Sequence, residues 1–193
     1  MRHATTPRLA LVAALCSVAA VANAGPPAPS DAEAKLNITP LGTITAQRDG
    51  ADEIWQPWIH HGRSQSGFHD DYDGTSVAIF GWDITTLHEG IRGYHGISIG
   101  FTVGGLGTNN PQALHPTVTM LDDLNWTRYN YTSEGDGSAT ITLTKAEMDG
   151  DRLHLAGTIE ATLLFRITGK DSSDPDKVSH LTGGQFDVWL PED

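Results

Sequence analysis

Past residue 35 the apolar side chains recur at every second position, not at the 3.6-residue spacing of a helix. Eight stretches carry this alternation: 36–46, 76–87, 94–103, 117–121, 126–132, 139–145, 153–168 and 185–190. Ala78, Phe80, Trp82 and Ile84 share one face of the second, and Ile97, Ile99, Phe101 and Val103 share one face of the third. Phe186, Val188 and Leu190 do the same near the C-terminus, which puts Gln185, Asp187 and Trp189 on the opposite face. Gly, Asp, Asn and Pro clusters separate the runs, as turns require. Only residues 31–36 and the segment around Gln112 have a short helical look. The pattern predicts an all-β chain: an antiparallel β-sandwich or small barrel of about eight strands spanning residues 36–193.

Binary patterning also sets an expectation for one hairpin. A three-residue loop at Met148-Asp149-Gly150 pairs Glu147 with Asp151 and Leu143 with Leu155, and gathers both apolar rows on one face. Gly150 would then be a left-handed bulge residue. Thr140, Thr142, His154, Thr158, Glu160 and Arg166 are expected on the wet face.

The N-terminus reads as an address. Arg2 and Arg8 precede the apolar run 9–20, and Ala22-Asn23-Ala24 forms a small-x-small cleavage signal. The run is too short for the ~20 residues of a spanning helix. Residues 1–24 are therefore expected to be a cleaved signal peptide, and 25–35 a Pro-rich extended spacer. Export to the periplasm or outside the cell follows, with no membrane span expected in the mature chain. Cleavage would remove Cys16, the sole cysteine, so the exported domain would rely on its apolar core.

Charge narrows the partners. The chain carries 12 Lys plus Arg against 24 Asp plus Glu, a net −12, which argues against nucleic acid. Protein or carbohydrate ligands remain open. Asn37, Asn125 and Asn130 each begin an Asn-x-Thr triplet, a glycan acceptor in a eukaryotic secretory pathway.

Three kinds of chemistry are candidates. The densest His and Asp region offers His60, His61, His69, Asp71 and Asp73 as ligands for a divalent metal such as Zn²⁺ or Cu²⁺. It contains no His-x-His pair, and His88-Glu89-Gly90-Ile91-Arg92 lacks the second His of a zincin helix. Aligning Gly74 with the glycine of an EF-hand loop puts His69 and Phe80 where acids are needed. Gly96-Ile97-Ser98-Ile99-Gly100 matches the G-x-S-x-G of serine hydrolases, with Ser98 as nucleophile. That motif needs a strand before and a helix after, whereas the alternation here continues. Finally, Trp189 beside Asp187 and Gln185 could stack on a sugar ring and bind its hydroxyls.

The run from His154 to Leu163, followed by Val178-Ser-His-Leu-Thr-Gly-Gly-Gln-Phe-Asp-Val188, resembles bacterial envelope β-sandwich domains of unknown function. The resemblance covers residues 154–188. It implies export and a sandwich, and it brings no catalytic residue. The favoured expectation is an exported, non-enzymatic binding protein, with the metal site and the Ser98 hydrolase as alternatives.

Overall fold

Turn-bounded alternation becomes antiparallel sheet throughout the described residues of the computed structural model, which are 25–72, 74–83, 95–121, 129–167 and 173–193. The expected signal peptide lies outside them, as do Asp73, Ile84 and Asn125. In chain order the elements are helix α1 (Asp31–Lys35), then strands β1 (Ile38–Pro40), β2 (Gly42–Arg48), β3 (Ala51–Gln56), β4 (Trp58–His60), β5 (Arg63–Ser64) and β6 (Gly67–Asp71). They continue with β7 (Gly74–Asp83), β8 (Gly96–Gly104), β9 (Gln112–Leu121), β10 (Tyr129–Thr132), β11 (Ser138–Asp149), β12 (Arg152–Ile167) and β13 (Ser173–Pro191). Ser30 and Glu33 cap α1 reciprocally: the Ser30 N–H donates to Glu33 Oε2 at 2.6 Å, and the Glu33 N–H to Ser30 Oγ at 3.3 Å. No helix among these residues is long and apolar enough to cross a membrane.

The large sheet runs β10-β9-β8-β7-β3-β2-β13-β12, and β10 also pairs with β12, so the sheet closes on itself as an antiparallel barrel. Two strands are shared lengthwise. One edge of β12 takes β11 along Arg152–Thr162 and β10 along Leu164–Ile167. One edge of β7 takes β6 near its start and β3 at its end. Strands β1, β4 and β5 form a separate small sheet.

The barrel interior is filled, not hollow. Ile44, Trp55, Ile79, Ile97, Ile99, Val118, Met120, Leu155, Leu163, Phe186 and Val188 belong to one buried apolar cluster. On β7 the interior takes Val77 and Ile79, while Ala78, Phe80 and Trp82 face outward and are half-buried. Trp58 of the small sheet packs on Trp82 there, at 6.3 Å between ring centroids, so the outer aromatic row has a cover of its own.

The β11–β12 hairpin departs from the expected register. Asp149 pairs with Arg152, leaving Gly150-Asp151 as a two-residue loop. Gly150 has φ +66° at the first central position, where a type II′ turn requires a positive φ. Glu147 faces His154 and Leu143 faces Gly157, with a bulge between Leu143 and Lys145. That bulge switches the inward parity, so Ile141, Leu143 and Ala146 are all buried despite the tighter turn. His154 is on the outer face but not in water: it is 6% exposed. The segment at Gln112 is the start of β9, not helix, and continues the ladder with Gly104.

A second hairpin, β2–β3, turns through Asp49-Gly50, both at positive φ (51° and 86°), as a type I′ loop requires. Asp49 also ties this turn to β13. It accepts from the His180 N–H at 2.8 Å and the Ser179 hydroxyl at 2.8 Å. Burial works against the charged carboxyl, but these donors and the positive charges of Arg48 and His180 outweigh it. The Asp49 carboxyl is held below the usual carboxylate range. A folded pKa below the unfolded one contributes stability above the unfolded pKa, and that stability is lost as pH falls through the folded value. Asp49→Asn is therefore expected to lower the denaturation midpoint at neutral pH, with the gap to wild type closing as pH falls through the lowered Asp49 pKa. Urea melts across that range check it; a pH-independent gap would show that the charge is not what matters.

Candidate functional site

Strand β13 carries a Gly183-Gly184 irregularity, with Gly183 at φ +60° and register shifts toward both neighbouring strands. Leu181 is buried before it; Phe186, Val188 and Leu190 are buried after it. The extra residue resets the parity, and Gln185, Asp187 and Trp189 consequently project from the outer face. Register then aligns two outer rows across four strands. One is Lys145, Ala156, Asp187 and Thr43; the other is Thr142, Thr158, Gln185 and Thr45.

Ala156 is short and its neighbours are tall, which leaves a recess of about 370 Å³ open to solvent. Thr43, Thr45, Thr144, Thr158, Gln185 and Asp187 surround it, over a floor of Ala156, Gly157 and the edge of Phe186. Thr144 reaches the rim because it is the bulged residue of β11. Among the described residues, none of the four threonine hydroxyls nor the Gln185 amide is engaged in a side-chain hydrogen bond within the protein.

Asp187 is the one rim group with a partner. His154 Nε2 lies 2.7 Å from Asp187 Oδ1. A carboxylate only accepts, so Nε2 carries the proton and donates. The His154 ring stacks on Trp189 at 4.0 Å between centroids and 19° between planes, and the Trp189 indole N–H donates to Asp149 Oδ2 at 3.3 Å. Trp189 is 5% exposed. So little of the ring reaches solvent that Trp189 does not offer the expected sugar-stacking face, while Gln185 and Asp187 do line the recess.

Among the described residues, which exclude Asp73, the expected metal ligands are not gathered in one place. His60 ends β4 and His61 begins the following turn, their rings in edge contact at 4.2 Å. His69 and Asp71 belong to β6, on the barrel. Asp71 Oδ1 accepts the Tyr72 N–H and Asp70 Oδ1 accepts the Thr75 hydroxyl, so both acids serve their own hairpin. Among the described residues no three His, Cys, Asp or Glu side chains are placed to hold a metal ion. His60 lies in the small sheet and His69 and Asp71 in the strand paired with β7, so neighbouring sequence is divided between two sheets.

Ser98 sits in mid-strand on β8, opposite Phe80 on one side and Thr119 on the other. No strand-to-helix elbow exists there, so the hydrolase motif lacks its required geometry. Its glycines serve packing: a Cβ at position 96 would lie 2.7 Å from the Trp82 ring. Of the Asn-x-Thr triplets, Asn37 is exposed in the turn before β1, whereas the Asn130 amide oxygen is buried in β10.

Sequence reasoning missed Thr43, Thr45, Thr144, Ala156 and Thr158 as site residues. The available signal was the density of Thr at outward positions on consecutive strands. No family model, curated protein or solved structure matches the chain.

Proposed function

We propose that this chain is an exported binding protein that takes a small polyhydroxylated ligand, one sugar unit, in the recess around Ala156. The observation that carries the reading is the ring of uncommitted hydroxyl and amide groups around a half-ordered carboxylate. Hydroxyls and amides both donate and accept, as sugar hydroxyls do, and the carboxylate strengthens whichever hydroxyl donates to it. An anionic ligand would meet Asp187 and a net charge of −12. Ala156, Gly157, Phe186 and the threonine methyls make most of the lining apolar, which suits the C–H face of a sugar ring. The filled interior leaves the outer face as the place for a ligand. Export is supported by the charged start, apolar run and small-x-small signal of residues 1–24.

Titration calorimetry of the mature chain against glucose, galactose, mannose and N-acetylglucosamine tests this, with putrescine as a cationic control. At least one sugar is expected to bind in the millimolar range, about −4 kcal/mol. Asp187→Ala should weaken it by about tenfold or more, the worth of a charge-assisted hydrogen bond. Binding of putrescine alone, or sugar binding that survives in Asp187→Ala, would contradict the assignment.

A further inference from the structure

We infer that His154 is a positioning residue that fixes the Asp187 carboxylate for the ligand without touching the ligand itself. This rests on the reading of the recess as a binding site. His154 is too buried to reach a molecule in the recess, at 6% exposure, and does not line it. Its Nε2–H holds Asp187 Oδ1 at 2.7 Å. Oδ2 is left as the carboxylate oxygen available to a ligand hydroxyl.

What holds His154 is a chain of contacts running back to the β11–β12 turn. His154 and Trp189 are direct cross-strand partners, which brings the two rings face to face. Trp189 is held by Asp149 through its indole N–H and by the Leu41 carbonyl through its backbone N–H at 2.7 Å. Asp149 is the last residue before the tight loop. The order of contacts is therefore Asp149, Trp189, His154, Asp187, and then the recess.

The gain is preorganisation. A carboxylate on an open sheet face samples several rotamers, and a ligand that needs one of them must supply the ordering cost. With Oδ1 already bonded, that cost is met in the free protein. The role differs from simple packing because it needs a donor at the Nε2 position, not merely a ring over Trp189.

Two variants separate those roles. His154→Phe keeps a ring to stack on Trp189 but has no donor; His154→Gln supplies an N–H donor without the imidazole. With the four monosaccharides as probes, His154→Phe is expected to raise Kd roughly tenfold. His154→Gln should stay within about threefold of wild type. In Asp187→Ala the further change His154→Phe should add nothing, since the group being positioned is gone. Circular dichroism melts confirm that each variant is folded. Unchanged sugar affinity in folded His154→Phe, with affinity lost in Asp187→Ala, would overturn the inference and leave the recess reading standing. If no sugar binds wild type, the recess reading fails instead, and a ligand-free measurement decides the anchoring. Proton–nitrogen spectra of the free protein should contain a downfield, slowly exchanging His154 Nε2 proton that disappears in Asp187→Ala. Its absence from wild type would overturn the inference regardless of any ligand.

Discussion

Trp55→Ala is expected to lower the unfolding free energy by about 3–5 kcal/mol, the usual cost of emptying a buried aromatic site. Trp55 is completely buried. It stands where β3 meets β7, pairing with Asp83 beside the Gln56–Trp82 pair. Across that junction β7 carries Gly81, where a Cβ would lie 2.9 Å from Trp55 Cβ and 3.0 Å from Ile44 Cδ1. The bulky ring and the missing side chain are thus a matched pair. Total stability for such a domain is about 5–15 kcal/mol, so the loss is a large share of it. Urea denaturation followed by circular dichroism measures it without depending on tryptophan emission. A loss below about 1 kcal/mol would mean that the junction does not depend on this ring.

The second large effect is on binding. Ala156→Phe is expected to reduce sugar affinity on the order of a hundredfold, equivalent to losing two or more hydrogen bonds. Ala156 is the low point of the recess, between Asp187 on β13 and the bulged stretch of β11. A benzyl group there would occupy the volume and screen Asp187, Thr144 and Thr158 together. The position is half-buried on the outer face, outside the apolar cluster. Stability should therefore change by no more than about 1 kcal/mol. Calorimetry and urea melts on the same sample separate the two quantities. Intact affinity in a folded Ala156→Phe would place the ligand elsewhere.

Much of the architecture was legible in the two-residue rhythm. Alternation in β8, β12 and the end of β13 reads directly onto the interior face, because each of those faces is buried against one core. Where both faces are covered, alternation loses its meaning. In β7 the aromatic row Phe80 and Trp82 looks like the core row, yet the small sheet covers it and the slimmer Val77 and Ile79 fill the barrel. Bulges defeat the rhythm in another way. The irregularities at Thr144 and at Gly183-Gly184 change parity in mid-strand, and a fixed-period reading of β11 misplaces the turn by one residue.

The candidate site was half legible. Gln185 and Asp187 follow from the parity of Phe186, Val188 and Leu190. Their threonine neighbours belong to strands remote in sequence, and only the register β11-β12-β13-β2 brings them together. His154 was misread for a related reason. As a polar residue opposite apolar ones it scores as wet, but its cross-strand partner is a tryptophan whose stacking removes it from solvent. The separation of His60 and His61 from His69 and Asp71 was likewise invisible, since strand spacing along the chain does not say which sheet a strand joins.

The central claim is that an exterior recess, not the barrel interior, is where this protein meets a ligand. Amide chemical-shift mapping during titration with the tightest-binding of the four monosaccharides tests it most directly. The account predicts shifts concentrated at Thr43, Thr45, Thr144, Ala156, Thr158, Gln185 and Asp187, with the Trp189 indole responding through His154. Shifts centred instead on interior residues such as Ile99 and Leu155, or on the small sheet around His60, would contradict it.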